Sequence, residues 1–146
     1  MRVLIQRVKE AEVKVAGQTA GQITKGLLVF LGVAQDDTKL SADYLIKKIT
    51  GLRIFEDKQG KMNVSAAEAN AQFLVVSQFT LYGNCDKGRR PSFDEAADPI
   101  KGEELYNYFV MQLKATKAIV ETGQFRATMD VSLINDGPVT FMIDSR

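Results

Sequence analysis

The chain has 146 residues, 45% of them apolar and 25% charged, which suits one globular domain with a buried core. Its 19 Lys and Arg residues against 18 Asp and Glu residues give a net charge of +1, which excludes a uniformly polycationic protein and leaves only local basic patches. The absence of histidine excludes Ser-His-Asp and Cys-His catalysis and every zinc site that needs histidine, and the single cysteine, Cys85, excludes an intrachain disulfide.

The first third of the chain predicts strands. Alternating apolar residues over 3–15 are typical of a half-buried strand. Gly17 and Gly21 then indicate turns. The continuous apolar segment 27–33 predicts a strand that is buried on both faces.

A helix follows, because the apolar residues of 45–52 recur with helical spacing and form one stripe. We expect Ser41 to cap its N-terminus and Gly51 its C-terminus. Residues 53–55 then predict a short strand, and 57–60 a turn.

Residues 72–77 predict a second strongly buried strand, after which the pattern is lost over 81–99. Loops of that length are usually functional or disordered. Asp98 as cap and Pro99 in the first turn begin a second helix, whose apolar stripe consists of Leu105, Phe109 and Leu113. The remainder, 119–143, predicts strands that are broken at Gly123 and at 135–138.

Seven or eight strands, two helices and short connections predict an α+β fold, a small strand-dominated, barrel-like single domain with two flanking helices. No linker or low-complexity segment divides the chain, so residues 1–146 are expected to form one domain. The N-terminus lacks the apolar segment of a signal peptide, and no apolar run approaches the ~20 residues of a membrane span. We therefore expect a cytoplasmic protein that does not enter a membrane.

Two segments could form a site, although turn chemistry also explains each of them. Ser77, Gln78 and Thr80 leave the end of a buried strand beside the long loop, where sites are often mounted, yet such residues also satisfy backbone groups in turns. The segment 135–140 (NDGPVT) favours a tight hairpin turn, in which Gly137 would allow close approach of a ligand.

Lys87, Arg89 and Arg90 form a basic cluster in the long loop. With Tyr82 and Phe93 nearby, this cluster suits contacts to phosphates and bases, but most clusters of this kind are solvated loop charges. The chain lacks Gly-rich nucleotide-binding motifs, and nothing in the sequence predicts a metal or a cofactor.

The motifs SQFTL at 77–81 and NDGPVTF at 135–141 together resemble the D-aminoacyl-tRNA deacylase family. The opening MRVLIQRV and the segment GQFRATMDVSL at 123–133 are also similar to that family, and the resemblance covers the whole chain. It implies hydrolysis of the ester between a D-amino acid and the terminal adenosine of tRNA, and of glycine mischarged on alanine tRNA. It also implies a barrel-like fold and a homodimer with its site at the interface.

Carried over to this sequence, the resemblance gives roles to nine residues. Gly137 and Pro138 would be a cis dipeptide that enters the pocket of the other subunit and leaves no room for an L side chain. Arg7 would help to hold that dipeptide, and Phe125 and Met129 would border the adenosine and aminoacyl positions. The pocket floor would consist of Ser77, Gln78, Phe79 and Thr80, the expected catalytic set.

Two other functions remain open from the sequence. One is a non-catalytic RNA-binding dimer that uses Lys87, Arg89 and Arg90, with 135–140 as a plain turn. The other is a dimeric structural protein whose motif residues only pack an interface. Hydrolysis of an aminoacyl ester distinguishes the enzyme from both.

Overall fold

The computed structural model describes residues 1–145, which form eight strands, two α-helices and one short 3₁₀-helix. In chain order these are β1 (Arg2–Val15), β2 (Gln18–Ile23), β3 (Gly26–Gly32), α1 (Lys39–Gly51), β4 (Phe55–Glu56), β5 (Met62–Val64), β6 (Gln72–Ser77), the 3₁₀-helix (Phe79–Tyr82), α2 (Pro99–Ala115), β7 (Val120–Thr122) and β8 (Met129–Asp144). The α+β class and the two helices agree with the prediction.

The long strand β1 organises the main sheet. One edge of β1 pairs antiparallel with β8 along its whole length, and the other edge pairs with β3 in its first half and with β2 in its second. The sheet continues from β3 to β6 and β7 through parallel pairs, and β4 and β5 form a separate hairpin. A strand that exchanges partners along its length curves the sheet, as a barrel requires.

Apolar residues cover both faces of β3 and β6, as their continuous apolar sequences predict. On one face they pack against α1 and α2, with Leu27, Val29 and Phe73 next to helix residues such as Leu45 and Phe109. The opposite face is enclosed by the curved sheet and forms a second cluster, which consists of Val8, Ala11, Val13, Ile23, Leu28, Leu74 and Val76.

The curved sheet almost closes where β2 approaches β7. A Cβ atom on Gly21 would lie 2.5 Å from the carbonyl oxygen of Thr122 and 3.1 Å from the side chain of Leu74. Glycine is therefore required at this position by the close approach of two backbones.

Replacing Gly21 with alanine is expected to lower the free energy of unfolding by about 1–3 kcal/mol, because the added methyl group forces two strands apart. Urea denaturation measures the effect. Gly51→Ala is the matched control: nothing lies within 4 Å of its Cβ position at the end of α1, so the free energy of unfolding should stay the same or rise. Equal stability of both variants would contradict the proposed close approach.

The structure corrects two predicted helix ends. Helix α1 begins after Thr38, and Ser41 is its third residue, whose hydroxyl accepts a hydrogen bond of 3.3 Å from the Thr38 N–H. Gly51 belongs to the helix, and Leu52 ends it. The start of α2 is as predicted, since the Asp98 carboxylate accepts hydrogen bonds from the N–H groups of Ile100 and Lys101 at 2.9 and 3.0 Å.

The predicted hairpin at 135–138 is also wrong. Strand β8 runs from Met129 to Asp144, and it pairs with β1 before and after this segment. Asn135 lies opposite Val8 and Thr140 opposite Gln6, so that 136–139 form an extended bulge in which Gly137 and Pro138 are exposed and Val139 is buried. No helix within residues 1–145 is both long enough and apolar enough to cross a membrane.

Candidate functional site

The polar segment after β6 is fixed to the sheet by backbone bonds. The Gln78 N–H donates to the carbonyl oxygen of Leu31 in the neighbouring strand β3 at 2.8 Å, and the 3₁₀-helix begins at the next residue. The Gln78 side-chain amide also donates to the Thr80 hydroxyl. Two parallel strands therefore hold this segment at a defined place at the end of the sheet.

A cavity of about 510 Å³ opens at this strand end. Five of the nine predicted site residues line it: Ser77, Gln78, Phe79, Phe125 and Met129. Its other lining residues are Leu31, Val33, Val76, Ala97, Asp98, Pro99, Gly102, Arg126, Ala127 and Val131. Most of these side chains are apolar, as is usual for a small-molecule pocket with few polar groups.

Aromatic rings form the sides of the cavity. Phe79 is 56% exposed and meets Phe93 of the long loop edge to face, with 5.0 Å between ring centroids. Phe125 lies 5.8 Å from the ring of Tyr106 in α2. Because α2 begins at the cavity, Gly102 also borders it, and a Cβ atom there would lie 3.5 Å from the Phe125 ring. The cavity thus lies between the main sheet, the start of α2 and the connection from β7 to β8.

Tyr106 supports this wall from inside the protein. Its hydroxyl donates to the carbonyl oxygen of Val75 in β6 at 2.9 Å, and burial raises the pKa of this phenol to about 12. The phenol is therefore neutral at physiological pH, and its role here is structural support for β6.

Gly137 and Pro138 do not line this cavity. They are exposed in the bulge of β8, and the peptide bond between them is cis. The Asn135 side-chain amide donates to the carbonyl oxygens of Arg7 and Val139 at 3.1 and 3.2 Å, which closes the base of the bulge. The structure therefore presents the Gly137-Pro138 dipeptide outward.

Arg7 is only 2% exposed and contacts the bulge from the interior of the subunit. Its Nε donates to the carbonyl oxygen of Asp136 at 3.2 Å and lies 3.0 Å from the Asp136 carboxylate. Its Nη1 donates to the carbonyl oxygen of Ile54 at 2.6 Å, and its Nη2 lies 3.4 Å from the Glu56 carboxylate. Arg7 therefore ties the bulge to the segment that contains β4, within one subunit.

The remaining predicted residues lie outside the cavity lining. Thr80 is exposed on the 3₁₀-helix. Lys87, Arg89 and Arg90 are exposed in the long loop, as is Cys85. Within residues 1–145, no group of three or more His, Cys, Asp or Glu side chains is placed to hold a metal ion.

Sequence reasoning missed Asp98, Arg126 and Ala127 as cavity residues. Asp98 gave only the signal of a helix cap. Arg126 has a backbone φ of +61°, a left-handed conformation that its sequence does not indicate.

Known proteins resemble this chain over its full length. The sequence profile described as D-Tyr-tRNA(Tyr) deacylase matches residues 4–144. A protein of Thermotoga petrophila named D-aminoacyl-tRNA deacylase is 57% identical to this chain, over 99% of this chain and 97% of that protein. A protein of Desulfatibacillum aliphaticivorans with the same name is 58% identical, over 100% of both chains.

Two solved structures share the fold. One, described as c-Myc DNA Unwinding Element Binding Protein, has a TM-score of 0.94 at 38% identity and matches over 100% of this chain and 99% of that one. Another, described as a probable eukaryotic D-amino acid tRNA deacylase, has a TM-score of 0.88 at 18% identity over 98% of both chains.

Proposed function

The chain belongs to the D-Tyr-tRNA(Tyr) deacylase family, a family of ester hydrolases, and we propose that it hydrolyses D-aminoacyl-tRNA to free tRNA and the amino acid. We extend the proposal to glycine mischarged on alanine tRNA. The main support is the cavity at the end of β6, because Ser77, Gln78, Phe79, Phe125 and Met129 meet there although Phe125 follows Ser77 by 48 positions in the chain.

The proposed chemistry needs no histidine. An aminoacyl ester is already activated, so orientation of the ester and of a water molecule can supply much of the rate. In a 3₁₀-helix the first N–H groups have no acceptor within the helix. We propose that the N–H groups of Phe79 and Thr80 stabilise the negative charge on the ester oxygen, and that the 2′-hydroxyl of the substrate's ribose assists.

Selection between D and L substrates is proposed to depend on a homodimer. In it, the Gly137-Pro138 dipeptide of one subunit enters the cavity of the other, contacts the substrate's amino group and excludes an L side chain. The outward position of this dipeptide and its absence from its own cavity lining support the arrangement. A D side chain would point to solvent, which allows many different amino acids.

The surface around the bulge also supports a homodimer. Among residues 1–145, β8 hydrogen-bonds to β1 alone, so its second edge is open. Ile134, Phe141 and Met142 of the same strand are exposed by 50%, 42% and 60%. An open edge strand with exposed apolar side chains is a common place for a second chain to pack.

The proposal is tested by release of labelled tyrosine from D-Tyr-tRNA and L-Tyr-tRNA, measured in parallel with EDTA present. We expect rapid loss of the D ester only. Loss of both esters would contradict selection by the Gly137-Pro138 dipeptide, and loss of neither would contradict the enzyme itself.

Thr80→Ala is expected to keep kcat/KM for D-Tyr-tRNA within about tenfold of the unsubstituted protein, because the proposal uses the backbone N–H of Thr80 and not its hydroxyl. Thr19→Ala is a matched control, since it also removes an exposed hydroxyl that bonds one side chain, Glu12, at 2.5 Å. A loss of about 10³-fold for Thr80→Ala alone would make its hydroxyl a participant in the reaction.

Nucleic-acid binding without catalysis is the second candidate. The exposed cluster of Lys87, Arg89 and Arg90 favours it, as does the 38% identical structure described as a DNA unwinding element binding protein. Such a protein would bind tRNA with a steep dependence on salt and leave both esters intact.

A further inference from the structure

Arg126 lines the cavity, and the proposed chemistry does not use it. It lies in the connection between β7 and β8, next to Phe125, and it is exposed to solvent. The other charged residue of the lining is Asp98, whose carboxylate accepts two N–H groups of α2. Among residues 1–145, no carboxylate forms an ion pair with Arg126 and no side-chain hydrogen bond involves it, so its guanidinium is available to a ligand.

Arg126 also has an unusual backbone conformation. Its φ of +61° lies in the left-handed region, which glycine adopts freely and residues with a Cβ atom disfavour. The Ala127 N–H donates to the carbonyl oxygen of Gln124 at 3.3 Å, so the segment is a tight turn. Arg126 thus places a positive charge at the cavity while its backbone adopts a conformation that suits glycine. Residues held in such disfavoured conformations cluster at ligand and active sites.

The chemistry of the substrate supplies a partner for this cation. If the proposed function holds, the reacting ester is attached to the ribose of the terminal nucleotide. The same ribose bears, on its 5′ oxygen, the phosphate that joins it to the rest of the RNA. A ligand with its ester beside Ser77, Gln78 and Phe79 of the lining therefore brings one negative charge into the cavity that Arg126 also lines. Arginine matches phosphate by a pair of parallel hydrogen bonds.

We propose that Arg126 binds the phosphate of the substrate's 3′-terminal nucleotide and thereby recognises an aminoacylated RNA end over a free amino-acid ester. This inference rests on the proposed deacylase function. Arg126 is in this view a substrate-binding residue that adds affinity, and the ester chemistry occurs without it.

The test compares two substrates that differ in this phosphate: D-Tyr-tRNA, and D-tyrosine esterified to adenosine, which has no phosphate. The variants are Arg126→Gln, Arg126→Gly and Arg126→Lys. Lys117→Gln is the matched control, because Lys117 is also an exposed cation with a left-handed φ, +67°, but it lines a different cavity.

We expect the KM for D-Tyr-tRNA to rise about tenfold in Arg126→Gln and Arg126→Gly, the size of one lost charge-assisted hydrogen bond, with kcat little changed. Hydrolysis of the adenosine ester should not change. The dependence of log kcat/KM on log salt concentration should become less steep by about 0.7, the value for one phosphate contact in single-stranded RNA. Arg126→Lys should fall between the unsubstituted protein and Arg126→Gln, because it keeps the charge and loses the paired hydrogen bonds. Lys117→Gln should stay close to the unsubstituted protein.

Three results would overturn the inference: equal effects of Arg126→Gln on both substrates, no effect on either, or a loss in Arg126→Lys as large as in Arg126→Gln. A fourth result would also overturn the inference: a KM for D-Tyr-tRNA that rises in Arg126→Gln but stays unchanged in Arg126→Gly. The rise would then come from backbone strain at this position and not from the lost guanidinium. Failure of the proposed function is distinct from these, because the unsubstituted protein would then hydrolyse neither ester.

Discussion

Replacing Gly137 with alanine is expected to lower kcat/KM for D-Tyr-tRNA roughly 100-fold, as displacements of a bound substrate by about 1 Å commonly do. In the proposed dimer, this residue lies against the substrate in the cavity of the other subunit. A methyl group there would take the place of the substrate's amino group. Steady-state kinetics on D-Tyr-tRNA and on glycine attached to alanine tRNA measure the loss.

The fold of the subunit places one side-chain atom close to this methyl group. A Cβ atom on Gly137 would lie 3.1 Å from the side-chain oxygen of Asn135, which must shift by a few tenths of an ångström, so urea denaturation of the variant is measured beside its activity. Gly51→Ala is the control for a glycine with open space around it, and it should keep full activity. Activity of Gly137→Ala equal to that of the unsubstituted protein would contradict the proposed role of the dipeptide.

Arg7→Met is expected to lower the free energy of unfolding by about 3 kcal/mol and to remove most D-Tyr-tRNA hydrolysis. The buried guanidinium is replaced by an apolar side chain of similar length. The carbonyl oxygens of Ile54 and Asp136 then lose their donor, and the Asp136 carboxylate loses its ion pair. Because Asp136 precedes the Gly137-Pro138 dipeptide, the dipeptide also loses its fixed position.

Urea denaturation and kinetics at a temperature where the variant stays folded separate the two effects. Lys14→Met is the matched control, because Lys14 is a cation on the same strand whose ion pair with Glu12, at 3.4 Å, is exposed. It should cost less than about 1 kcal/mol and leave activity unchanged. Full activity of folded Arg7→Met would mean that the bulge keeps its position without Arg7.

The sequence predicts most of the fold because its strongest signals depend on near neighbours. The continuous apolar segments of β3 and β6 require burial on both faces, and Asp98-Pro99 starts α2 through contacts within one helical turn. The predicted cap of α1 at Ser41 is wrong because serine and threonine are both good capping residues, serine the better one, and only the backbone conformation selects Thr38.

Sequence motifs predict part of the candidate site: five of the nine residues that they indicate line the cavity. The resemblance predicts that the residues of 77–80 share a pocket with Phe125 and Met129, but the elements that form this pocket do not follow from local sequence patterns. The convergence of β6, the start of α2 and the β7–β8 connection on one cavity depends on parallel pairing between strands distant in the chain. No local sequence pattern predicts that Arg126 lines this cavity, since the surrounding turn sets its left-handed φ.

The segment 135–140 shows which features the local sequence determines and which features depend on the tertiary structure. Asn, Asp, Gly and Pro between apolar residues favour a turn, and by itself this composition predicts a hairpin. The tertiary structure makes it a bulge, because β1 pairs with β8 on both sides of it: Val8 lies opposite Asn135, and Gln6 opposite Thr140. The sequence by itself therefore determined where the chain leaves the regular ladder. Only long-range pairing decided that the chain returns to the same strand, since the free energy of a sheet register comes from a partner more than 120 residues away.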